Sequence, residues 1–73
     1  MATVIVYAQQ DVGKSSAARA FARRFGCDRI IDEWNGKAPV PRNTLVLTNL
    51  APEEMRVPRG ASTIEFARAL RML

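Results

Sequence analysis

The 73-residue chain is 48% hydrophobic and 25% charged, the balance of a folded domain, which excludes a disordered polar tail. One cysteine and no histidine exclude an internal disulfide and catalysis by imidazole, and they leave zinc too few good ligands. Eleven Lys and Arg against seven Asp and Glu give a net charge of +4 and a pI near 10.2. The basic residues are nevertheless dispersed, with no aromatic residues interleaved to stack on bases. Solvated helix faces and helix ends account for them better than a nucleic-acid surface does.

A single domain spanning 1–73 is expected, and a chain of this size buries only about 60% of its unfolded surface. No apolar run approaches the roughly 18 residues that span a bilayer, and the first residues lack the charged start and long apolar centre of a signal peptide. The expectation is a cytoplasmic protein with no membrane association.

Val4–Tyr7 is a short β-branched and aromatic run that predicts a buried strand, and residues 8–12 form a polar loop. Residues 15–25 follow with helical periodicity: Ala17, Ala18, Phe21, Ala22 and Phe25 fall on one face and Arg19, Arg23 and Arg24 on the other. Gly26 is placed to stop this helix in a left-handed conformation. Residues 27–33 predict a second strand centred on Ile30 and Ile31, with Asp32 and Glu33 at its carboxyl end. Cys27 is expected as a small buried residue at the strand start.

Residues 34–43 hold two prolines and an Asn-Gly pair, so they predict a long connection, with Trp34 covering one end of the core. Residues 44–48, a Leu-Val-Leu run between threonines, suit a central strand covered on both faces and paired in parallel with Val4–Tyr7. Asn49 ends it as a turn residue. Residues 50–60 predict an irregular loop with a helical turn at 52–55. Ser62-x-x-Glu65 has the form of a helix capping box, yet Thr63 and Ile64 favour a strand; a short fourth strand at 62–64 is preferred. Phe66, Ala69, Leu70 and Leu73 then outline a final amphipathic helix. The resulting order, β-α-β-β-β-α, predicts a small α/β domain with a mostly parallel sheet.

The segment from Val4 to Ser16 suggests chemistry. Where a loop curls into the start of a helix, successive N–H groups point into one concavity, and the unpaired amides of the first turn add positive potential. Phosphate fits such a nest. Gly13 lets the backbone approach closely, Lys14 supplies a point charge, and the Ser15 hydroxyl can ligate Mg²⁺. The candidate phosphate-binding residues are therefore Gln9, Gln10, Asp11, Val12, Gly13, Lys14, Ser15 and Ser16, with the Asp11 carboxylate directed outward. The same residues also suit an ordinary helix start, since both serines favour that position.

The stretch Ala8-Gln9-Gln10-Asp11-Val12-Gly13-Lys14-Ser15 resembles the Walker A motif of P-loop NTPases, G-x-x-x-x-G-K-[ST], with Ala8 in the first position. Ile30-Ile31-Asp32-Glu33 resembles a shortened Walker B strand, which would make Asp32 a second Mg²⁺ residue beside Ser15. A strand-ending Asp that starts a turn is the alternative. By the same resemblance, Asn49 would sit where a γ-phosphate is sensed. The chain also looks like short P-loop-like proteins of bacteriophage and prophage genomes, which share the Gly-Lys-Ser/Thr loop, Cys-Asp-Arg and Asp-Glu-Trp stretches and a Leu-Thr-Asn strand end.

The resemblance implies a minimal P-loop-like domain that binds ATP or GTP with Mg²⁺, with slow hydrolysis or phosphotransfer as a further expectation. The alternative is a non-enzymatic phage or prophage accessory protein that uses the same shell as a scaffold for a host protein partner. Nucleic-acid binding is the weakest alternative.

Overall fold

The computed structural model describes residues 3–8 and 13–73. The elements in chain order are β1 (Val4–Tyr7), α1 (Lys14–Phe25), β2 (Arg29–Ile31), β3 (Thr44–Thr48), a single 3₁₀ turn (Pro52–Glu54), β4 (Ser62–Glu65) and α2 (Phe66–Arg71). The four strands form one sheet in the order β2-β3-β1-β4, and every neighbouring pair is parallel. This is the small α/β arrangement expected from the order of elements.

The two most continuously apolar runs occupy the interior of the sheet. β1 pairs with β3 in the register Val4 to Leu45 through Tyr7 to Thr48, and all five residues of β3 are buried. Such a strand needs apolar cover on both faces, since water reaches neither. β4 pairs with the other side of β1, Val4 opposite Ser62 and Tyr7 opposite Glu65. The capping-box pattern at Ser62 therefore yields to the strand, and helix α2 starts only at Phe66.

One face of the sheet is covered by helices. Val6, Leu45 and Leu47 pack against Ala18, Phe21 and Ala22 of α1 and against Phe66 and Ala69 of α2. α1 lies over β3 and β2, and α2 over β4 and β1. Gly26 closes α1 at φ 70°, with its N–H directed to the last-turn carbonyls of Ala22 and Arg23, as its place after the apolar periodicity requires. The other face is covered by chain without regular structure. Ile5 and Val46 pack there against Trp34 and Met55, with Tyr7, Ile31, Val40, Leu50 and Ala61 alongside.

The connection through α1 leads from β1 past β3 to β2, whereas the connections from β2 to β3 and from β3 to β4 run the opposite way and cover the opposite face. Reversing both direction and face keeps the hand of the crossovers constant, which is what a twisted parallel sheet demands.

β2 departs from the expected bounds of 27–33. Only Arg29–Ile31 is strand, because β2 is the sheet's outer strand on that side and the chain leaves the ladder at Glu33, which adopts φ 54°. Ile30, expected at an apolar centre, is 42% exposed for the same reason.

Candidate functional site

Because all four strands are parallel, their carboxyl ends define one edge of the sheet, the edge at which open α/β sheets bind ligands. Ala8 follows β1 there and donates its N–H to the Thr48 carbonyl at 3.1 Å, which joins the start of the loop to the end of β3. Gln9, Gln10, Asp11 and Val12 lie outside the described residues. The chain resumes at Gly13, which is exposed, adopts φ 86° and ψ 27°, and stands as the residue before the first turn of α1. That left-handed conformation costs an L-residue with a Cβ about 1–2 kcal/mol and costs glycine nothing. Among the described residues, no side chain caps this helix start. Ser16 donates its backbone N–H to Gly13 O at 3.1 Å and is exposed, and Lys14 and Ser15 form the first turn.

Asp32 lies just beyond the carboxyl end of β2, hence on the same sheet edge as the loop. Its side chain accepts the N–H of Glu33 at 2.8 Å, an Asx-type contact that helps turn the chain into the left-handed Glu33. β3 stands between β2 and β1, so Asp32 is removed from the loop by two strand spacings, about 10 Å between strand axes. The place of Asp32 after two isoleucines carries no information about this lateral order.

Two other residues stand nearer to β1 at the same edge. Asn49 directly follows β3, β1's neighbour, and is exposed. Glu65 is opposite Tyr7, the last residue of β1, and is exposed. In the sequence Glu65 stands out only as part of a capping-box pattern; the signal that points to it is that a strand at 62–64 must also end at the ligand edge if the sheet is parallel. Thr48, also at the end of β3, is committed elsewhere: its hydroxyl donates to Trp34 O at 2.9 Å and accepts the Leu50 N–H at 3.2 Å. Among the described residues, no three Asp, Glu, Cys or His side chains cluster as a metal site. No described helix is long and apolar enough to cross a membrane.

Arg56 and Arg59 lie on the connection from β3 to β4 and are exposed. Arg59 lines an open depression with Thr3, Arg42 and Gly60 beside the start of β1, at the edge opposite the loop. At that opposite edge Asn43 adopts φ 57°, and both polar atoms of its side chain are buried with no hydrogen-bond partner among the described residues. Asn tolerates the left-handed region better than most residues, which accounts for its identity here. Cys27, after α1, is half-buried against the helix-covered cluster. Burial pushes its thiol pKa above the ordinary value, a hydrogen bond with the Val4 backbone opposes this, and Asp28 adds to the rise.

No family model matches the chain, and neither a curated protein nor a solved structure matches it.

Proposed function

We propose that the chain is a nucleotide phosphate-binding module of the P-loop type, taking the phosphates of ATP or GTP with Mg²⁺ at the start of α1. The observation that carries the reading is Gly13: a left-handed glycine opens the helix that follows an interior parallel strand, and the Gly-Lys-Ser triplet begins there. Gly13 brings no side chain of its own to cap the helix start, and the first-turn amides of a helix favour an anion. In this role Gln9 to Val12 contribute loop amides, Lys14 contributes charge to the terminal phosphates, and Ser15 contributes a hydroxyl to Mg²⁺. Asn49 and Glu65 are the residues beside β1 best placed for the γ-phosphate and the ion's water shell, with Asp32 one strand further away.

Isothermal titration with ATP, GTP and ADP, with and without Mg²⁺, tests the reading. Triphosphate should bind more tightly when Mg²⁺ is present. Lys14→Ala should weaken it roughly ten- to a hundredfold, the value of a charge-assisted contact, while the circular dichroism of the domain is unchanged. Wild-type protein that takes up neither ATP nor GTP at millimolar concentration contradicts the proposal.

A further inference from the structure

The two outer strands of the sheet differ in how well they resist another strand. β2 is three residues long and carries Arg29, and a short, charged strand is a common guard against pairing with a second chain. β4 is Ser-Thr-Ile-Glu: it is one residue longer, has no Pro, Lys or Arg, carries its one charge, Glu65, at its end, and has two β-branched residues at its centre. Among the described residues β4 pairs only with β1.

The register shows which backbone groups are left over. Ser62 donates its N–H to Thr3 O at 2.9 Å, so Ser62 faces β1. The N–H and C=O of one strand residue point to the same side, and the side alternates along the strand. Ile64 therefore faces β1 as well, while the N–H and C=O of Thr63 point outward. Beside this edge lies an open groove of about 640 Å³, floored by Val4, Phe25, Ile64 and Met72 and flanked by Glu65 and Arg68. Its lining holds one charge of each sign, Glu65 and Arg68, and Arg24 adds a second cation beside Met72. Arg24 donates from Nε to Met72 O at 2.8 Å, which holds its guanidinium beside that groove residue, and Arg68 lines the groove from the short α2.

We propose that the outer edge of β4 is a docking site for an extended acidic segment of another protein, which adds a fifth strand by bonding the Thr63 N–H and C=O. Its alternate apolar side chains fill the groove over Phe25, Ile64 and Met72, and its carboxylates meet Arg24 and Arg68. This is strand addition, in which main-chain bonds supply affinity and alternate side chains supply selectivity. A second copy of this chain is a poorer occupant, because a two-fold contact at this edge would bring the arginines of two +4 molecules together. The site shares Glu65 with the nucleotide reading but none of the phosphate-loop residues, so Lys14→Ala, which should weaken nucleotide binding, should leave peptide binding unchanged.

The test is an NMR titration of the full chain with two synthetic ten-residue peptides, alternating Glu-Val and alternating Lys-Val. The Glu-Val peptide should shift the amide signals of residues 62–65 and slow hydrogen exchange at Thr63, and the Lys-Val peptide should do neither. Thr63→Pro removes the outward donor and keeps both of β4's inward-facing residues, so it should fold and lose the peptide. Arg68→Ala should weaken binding roughly two- to fivefold, the range for an exposed ion pair, and more at low salt. Failure of the Glu-Val peptide to bind folded wild type, equal binding of both peptides, retained binding by Thr63→Pro, or a concentration-dependent dimer through β4 in sedimentation would each overturn the proposal.

Discussion

The two faces of the sheet solve the same problem by different means. On one face, Phe21 presents an edge to Phe66 at 5.7 Å between ring centroids and stacks with Phe25 at 6.2 Å, and two amphipathic helices supply the rest of the cover. On the other, chain with no regular ladder of its own must lie flat on Ile5 and Val46, so separate hydrogen bonds fix it. The Trp34 N–H meets Leu47 O at 3.0 Å, the indole Nε1 meets Ala38 O at 2.9 Å, and the Arg56 N–H meets Gly36 O at 2.8 Å. Asn35 Oδ1 accepts from the N–H groups of Lys37 and Ala38, closing the turn between these ties. The helix face is thus held by area and periodic side chains, and the loop face by a smaller apolar cluster together with local turn bonds and two ties, Trp34 to Leu47 and Arg56 to Gly36, between residues distant in sequence.

The largest expected effects come from truncating the main side chain of either face. Phe21→Ala and Trp34→Ala should each destabilise by about 3–5 kcal/mol, most of the stability of a domain this small at roughly 0.05–0.15 kcal/mol per residue. Urea denaturation followed by circular dichroism checks both. The contrast sharpens with Trp34→Phe, which keeps an aromatic ring but loses the bond to Ala38. It should cost about 1 kcal/mol from that bond, plus a packing loss. A neutral result would mean that area alone holds the loop face.

Two glycines give the next comparison. Gly26 and Gly36 share a left-handed backbone, at φ 70° and 83°. At Gly26, on the helix side, an added Cβ meets nothing within 4 Å, whereas at Gly36 it would stand 2.5 Å from Leu50 Cδ1 and 3.3 Å from the Met55 backbone. Gly26→Ala should therefore cost only the backbone strain, about 1–2 kcal/mol. Gly36→Ala should exceed it by about 1–3 kcal/mol of overpacking. Equal midpoints in urea would show that the loop layer can shift and is not fixed by its ties. Thr48→Val is a smaller probe of the same layer. It leaves Trp34 O and the Leu50 N–H without their shared hydroxyl and should cost about 1–3 kcal/mol, with faster hydrogen exchange at Trp34 and Leu50.

This division also explains what could be read from the chain. β1, β3, the face of α1 and the stop at Gly26 follow from local apolar pattern and glycine chemistry, and each lies where the pattern puts it. Trp34 was legible as core because so large an apolar area is seldom left in water. Its partners were not, because Leu47, Ala38 and Thr48 meet it only after the sheet has formed. The exposure of Ile30 and the early end of β2 were hidden for a related reason: a strand's place at the rim is a property of the strand order, not of its own residues. At the candidate site the Gly-Lys-Ser pattern is visible in the sequence, while the left-handed Gly13, the lateral distance of Asp32 and the nearness of Glu65 are not, the last two because they depend on the order β2-β3-β1-β4. The left-handed Asn43, whose buried side-chain amide has no partner among the described residues, left no local signal beyond the tolerance of Asn for that conformation.

The smallest expected effect concerns Cys27, which packs on the helix face yet carries an ionisable group. Burial raises its thiol pKa above that of the unfolded chain, so between the two values the unfolded state has already lost a proton that the folded state retains. Stability falls with rising pH wherever the unfolded state binds fewer protons. The contribution is therefore fully present below the unfolded thiol's pKa, about 8.5, and is lost as pH rises through the folded value. Urea midpoints measured from pH 7 to pH 10 should fall more steeply for wild type than for Cys27→Ala, with both slopes alike below pH 8. The thiol should also react with iodoacetamide at neutral pH more slowly than a free cysteine, because less thiolate is present. A parallel pH dependence in the two proteins would mean that the alkaline loss arises elsewhere, and that the helix face holds Cys27 too loosely to resist its ionisation.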